Sequence, residues 1–200
     1  MIAVVRSELY RLSTVRSSAM SLAIFTGFGI LLSMIGSDFW ALLAGVGAFG
    51  FGATGIAQHY QHRTAVLLYL ARPRRLLVLL GQLATTVIVS LGFTVVSGLL
   101  VLIQGNPERY LITVVVAPLM AVLGAAGAAI ARSATFLFVG FATWILFVEA
   151  MYGKMQEPLP FSAYLDAASG DLRKLLILLG WVLAAIAGAI FAVRRDLNGD

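Results

Sequence analysis

The chain has 200 residues, 60% of them hydrophobic and 12% charged, with a formal net charge of +5 and a mean hydropathy of +0.97. Soluble domains carry roughly 45–50% apolar and about 25% charged residues, so this composition excludes an ordinary soluble catalytic or nucleotide-binding domain and implies a polytopic helical membrane protein. The absence of cysteine excludes disulfides and thiolate chemistry, and the basic excess reads as a topology signal rather than as nucleic-acid binding.

Residues 1–16 place Ile2, Val5, Leu9 and Leu12 on one helical face, with Arg6, Glu8, Arg11 and Arg16 off it. This is the pattern of an interfacial helix lying at the headgroups, and equally of a basic flank to a first span. Charges run to Arg16 with no short apolar core and small-residue cleavage site behind them, so no cleavable signal is expected. Six apolar windows follow, at 17–36, 39–58, 76–104, 110–131, 134–151 and 175–193; a hydrocarbon core of ~30 Å asks for ~20 helical residues each. Ser37-Asp38 is only a turn, Gly105-Asn106-Pro107 is a clear stop, and Arg132-Ser133 divides the fourth window from the fifth.

Small residues recur every four positions at Ala44, Ala48 and Gly52, at Gly180, Ala184 and Gly188, and at Gly124 and Ala128. Such rows let helices approach closely in lipid, within one chain or between subunits. Pro118 should kink the fourth span. The fifth carries Phe136, Phe138, Phe141, Trp144 and Phe147, an aromatic face for lipid or for an apolar ligand. Its Glu149 is the one ionisable residue inside the spans. Two residues from the outer end, it reads as an interfacial carboxylate, and Glu149→Gln is expected to be nearly silent. No phosphate loop, catalytic triad, paired carboxylates or metal-ligand set appears, and His59 and His62 make a weak zinc pair.

Of the 14 Lys and Arg residues, ten fall on one side if the N-terminus is cytoplasmic, leaving Arg109, Lys154, Arg173 and Lys174 outside. The positive-inside rule then predicts a multi-pass plasma-membrane protein with both termini in the cytoplasm. Between the second and third spans, residues 59–75 (HYQHRTAVLLYLARPRR) are too polar to cross and too apolar to be an idle loop. Leu67, Leu68 and Leu70 need burial against lipid or protein, and Pro73 ends the helix before Arg74 and Arg75. The outer segment 152–173 contains Pro158 and Pro160 yet also Met155, Leu159, Phe161, Tyr164 and Leu165, which predicts short helices dipping into the outer leaflet.

Three stretches resemble the permease subunits of type-2 ATP-binding-cassette exporters, which move drugs, antibiotics, lipids and polysaccharides. SELYRLSTVRS looks like their interfacial start, AQHYQHRTAVLLYLARPRRLLVLLGQ like their first cytoplasmic loop, and AVRRDL like their basic finish. The resemblance implies one all-α permease domain over 1–200, with an interfacial helix at 1–16, a coupling segment at 59–75 and a re-entrant external segment at 152–173. It also implies that Thr64, Leu67, Leu68, Leu70, Pro73, Arg74 and Arg75 dock on an ATPase subunit. ATP and Mg would reside on that partner, with no cofactor and no catalysis on this chain. The second and fifth spans would line the path at the seam with a second permease, identical or not, which makes Phe49, Phe51, Phe141, Trp144 and Phe147 candidate path residues. Uncharged spans suit an apolar or amphipathic cargo. His59 and Arg63 stand where the family carries an acid and a glycine, and Gln82 where it carries a lysine. The rival readings are a membrane scaffold or immunity protein whose basic loop binds a partner, and an intramembrane enzyme.

Overall fold

A computed structural model describes residues 2–61, 75–155 and 157–195. Every regular element among them is helical: α1 Ile2–Thr14, α2 Arg16–Ile35, α3 Ser37–Gln61, α4 Arg75–Ser97, α5 Leu99–Ile103, α6 Pro107–Ala131, α7 Ala134–Thr143, a π-helical segment Trp144–Tyr152, α8 Pro160–Ala168 and α9 Leu172–Arg195. Five stretches are long and apolar enough to cross a membrane: Ser37–His59, Leu76–Ser97, Pro107–Ala131, Ala134–Tyr152 and Leu172–Arg195. The expected first span is represented by a shorter apolar helix, Ala19–Ile35.

The centre of the bundle is the pair α3 and α6, whose facing surfaces are built from small residues. Ala44, Ala48 and Ala53 of α3 and Ala117, Ala121 and Ala125 of α6 are all fully buried. The two backbones touch at reciprocal glycines: a Cβ on Gly52 would strike the Ala121 carbonyl, and one on Gly124 would strike the Phe49 carbonyl. In lipid, where apolar burial itself drives little helix association, this approach replaces side-chain bulk with dispersion between backbones. The small-residue rows of α3 and α6 are therefore contacts within the chain. That of α9 has a different fate, since Gly180 and Ala184 are exposed and only Gly188 meets a neighbour, Ile130.

The third span is shorter than the expected 76–104, because α4 stops at Ser97 and α5 resumes at Leu99. Between them Gly98 lies under the Trp40 ring, where any Cβ would collide. Trp40 is fully buried, stacks on Tyr110 at 5.9 Å, and donates its indole N–H to Ser97 Oγ at 3.1 Å. Elsewhere the expected boundaries hold. α2 ends at Gly36 and α3 starts at once, while Arg132 adopts a left-handed conformation (φ 56°) that closes α6. Ser133 then accepts the Phe136 N–H at 3.4 Å to start α7. α6 runs through Pro118 as one element.

One end of the bundle is tied by Arg109 to Asp38 at 2.8 Å, by the Tyr164 hydroxyl to the Ala41 carbonyl at 2.6 Å, and by Lys174 to Asp166 at 3.1 Å. α8, only nine residues long, is sunk into this end with Phe161, Ser162, Ala163 and Tyr164 buried. It packs on α9, α6 and α3. α7 and its π-helical continuation lie at the periphery, with 6% of their apolar window buried against 61% for α6.

Candidate functional site

At the opposite end, α1 folds back onto the end of α3. Glu8 is 6% exposed and places Oε1 2.9 Å from His59 Nε2, while Oε2 is 3.0 Å from the Arg11 guanidinium. Arg11 also reaches the Gly55 carbonyl at 3.4 Å. His59 therefore has an acid beside it, supplied from α1 rather than from the loop. Burial alone would raise the Glu8 pKa, but the hydrogen bond and charge of His59, together with Arg11, outweigh it and hold the carboxyl below its usual 4.5.

A folded pKa depressed in this way contributes stability that is fully present above 4.5 and is lost as pH falls through the lower folded value. Docking of α1 is thus expected to persist at mildly acidic pH and to fail only on the acid side of 4.5. Glu8→Gln should weaken docking at neutral pH by about 1–3 kcal/mol and flatten the acid limb. Thiol labelling of Val4→Cys, a buried position of α1 packed against Gly81 of α4 in a chain otherwise without cysteine, reports both effects; unchanged protection in Glu8→Gln would show that the clasp contributes nothing.

Behind the clasp lies a cavity of about 360 Å³ walled by α1, α2, α3 and α4, with Phe138 of α7 at its rim. Glu8, Arg11, Gln58, Gln82, Thr85 and Thr86 make one end polar. Phe25, Val46, Phe51, Val89 and Phe138 make the other apolar. α3 contributes Gly47, Gly50 and Gly55 to its wall, and at Gly50 and Gly55 a Cβ would meet no helix backbone. Nothing in the sequence marks these glycines as a group, and Gln82 reads there only as a departure from the resembled family; the convergence of four helices makes them one surface.

The candidate path residues do not share one surface. Phe49 is buried and stacks on Phe141 with centroids 3.8 Å apart, and Phe161 meets Phe141 edge-on at 6.3 Å. Phe51 lines the cavity between Phe25 and Phe93. Trp144 points its indole N–H at Glu149, and Phe147 faces outward, 59% exposed. Of the coupling residues, Thr64, Leu67, Leu68, Leu70, Pro73 and Arg74 lie outside the described residues, as does His62, while Arg75 opens α4. Among the described residues no group of three or more His, Asp or Glu side chains could hold a metal ion.

Glu149 corrects the interfacial reading. It is fully buried, the only buried residue of the π-helical segment. Its Oε1 accepts the Trp144 indole N–H at 3.0 Å and the Phe161 amide at 3.1 Å, and Oε2 accepts the Ser162 amide at 2.6 Å. The carboxylate thus caps α8 from another element, since the helix has Leu159 at its N-cap and Pro160 at its start and supplies no side-chain cap of its own. A negative charge against first-turn amides is also favoured by the helix dipole. The i→i+5 winding, seen in Gly153 N–H to Val148 O at 2.8 Å, turns this one residue inward from an otherwise outward-facing helix. The chain matches no protein-family model, no curated protein and no solved structure.

Proposed function

We propose that this chain is the membrane-spanning permease half of an ATP-driven exporter of the type-2 ATP-binding-cassette kind, driven by a separate ATPase subunit and paired with a second permease. Its cargo is an apolar or amphipathic compound. α2 serves as a sixth span, and both termini face the cytoplasm. One observation carries the reading: the Glu8–His59 contact ties α1 to α3 three residues before segment 62–74, whose far end continues directly into α4. A push on that segment would act at once on α3, on α4 and, through the clasp, on α1, which are three of the cavity's walls. The ties among residues 38, 41, 109 and 164 at the other end accord with the outer side that the cation distribution predicts.

Leu67→Asp and Leu68→Asp, each burying an unpaired carboxylate against the partner, should detach the ATPase or abolish transport-coupled hydrolysis. Arg74→Gln should only weaken assembly, most visibly at low salt where rim charges are least screened. Co-purification at matched membrane expression measures both. Full retention of the ATPase by the two leucine variants would remove the coupling role, and a stoichiometric partner without Walker motifs would favour the scaffold instead. Cysteine introduced at position 62 should resist an impermeant external reagent, and its labelling would overturn the orientation.

A further inference from the structure

We propose that the cavity behind α1 is a binding site for a single-chain amphiphile whose compact, hydrogen-bonding head group carries no net charge. The head group lies against α1 and the chain runs between Phe25, Phe51 and Phe138. The site stands on the chain alone and is independent of whether an ATPase drives it.

The volume, about 360 Å³, lies within the range of small-molecule sites, roughly 300–1,000 Å³. Its polarity runs along one axis. From Val46 to Gln58 the α3 wall rises about 18 Å, at 1.5 Å per residue, passing from aromatic and aliphatic neighbours to amide and hydroxyl groups. A wholly apolar ligand would strand the polar end, and a wholly polar one would desolvate against phenylalanine.

Charge selects the head group. Glu8 and Arg11 stand together at the polar end, 3.0 Å apart, so an anionic head would meet the carboxylate and a cationic one the guanidinium. Hydrogen-bonding capacity remains at this end. Arg11 Nε is buried without a partner. The Thr85 and Thr86 hydroxyls donate backward to the Gly81 and Gln82 carbonyls, both at 2.9 Å, leaving their oxygen lone pairs as acceptors. A donor and acceptors among the lining residues fit a zwitterionic or hydroxylated head.

α3 also keeps the space open at a cost in helix propensity. A Cβ on Gly55 would meet nothing within 4 Å, so packing does not demand glycine there. Gly50 meets only the Phe138 ring, at ordinary van der Waals distance (3.8 Å). A Cβ at either position therefore meets no helix backbone, and a larger side chain there is expected to extend into the cavity.

The test uses the full chain in phosphatidylcholine nanodiscs with lysophosphatidylcholine bearing a diazirine near the end of its chain as probe. Crosslinked peptides should centre on Phe25, Phe51 and Phe138. Unlabelled lysophosphatidylcholine and monoacylglycerol should compete, whereas a fatty acid or an alkyltrimethylammonium of equal length should compete at least about tenfold more weakly. Gly55→Leu and Gly50→Val should each cut labelling about tenfold with an unchanged or raised thermal midpoint, while Gly180→Leu on the exposed face of α9 leaves labelling intact. Undiminished labelling in both cavity variants, crosslinks spread over the outer faces, or equal competition by the charged amphiphiles would overturn the proposal. Lysolipid co-extracted from the wild type and absent from Gly55→Leu would identify the membrane as its source. Saturable labelling without co-extracted lipid would uphold the site with a ligand supplied from elsewhere. Failure here would leave the exporter reading standing, because that reading is tested separately by ATPase co-purification with the Leu67 and Leu68 variants.

Discussion

Glu149→Ala is expected to destabilise the protein by about 1.5–5 kcal/mol and to release the segment that carries α8. Loss of the helix cap costs about 0.5–2 kcal/mol, and buried donors left without an acceptor cost about 1–3 kcal/mol more. Three donors are affected: the Phe161 and Ser162 amides and the Trp144 indole, all bonded to this one carboxylate. Glu149→Gln should fall between wild type and alanine, because it keeps one acceptor oxygen and turns an amide NH₂ toward another donor. Thermal unfolding in detergent, followed by protease cleavage between residues 153 and 172, measures the two effects separately. Wild-type stability in Glu149→Ala would mean that α8 is held by its buried side chains alone.

The other large effect belongs to the α3–α6 contact. Gly52→Val should cost about 3 kcal/mol or more, the upper part of the overpacking range, because the atom it meets is the Ala121 carbonyl and not the end of a flexible side chain. Separating the helices to make room would also open the Gly124–Phe49 contact, so Gly52→Val and Gly124→Val should be strongly non-additive. Gly55→Ala, three residues along the same helix but facing open space, should be neutral or stabilising by up to about 1 kcal/mol. The monodisperse fraction on size-exclusion chromatography and the thermal midpoint distinguish the three. A tolerated Gly52→Val would show that the two backbones do not approach as described.

Much of this architecture is local chemistry and was legible in the chain. Apolar runs of membrane-spanning length, the stop at Gly105-Asn106-Pro107 and the break at Arg132-Ser133 each depend on a few neighbouring residues, and the helices begin and end there. The membrane class follows from the same runs, because hydrocarbon demands that backbone polar groups be satisfied within the segment. What the tertiary structure decided depends on residues distant in sequence. The interruption at Gly98 comes from Trp40, and the burial of Glu149 from amides 12 and 13 residues further on, reached only through a π-helical register. The same small-residue spacing is buried in α3 and largely exposed in α9, since spacing marks where a close approach can occur and the partner's shape decides whether it does. His59, read as the start of a basic cytoplasmic segment, is buried because α1 folds onto the end of α3 and places Glu8 beside it. The cavity is the extreme case: its walls come from helices that each read as ordinary packing surface, and an unfilled space has no signature in any one of them.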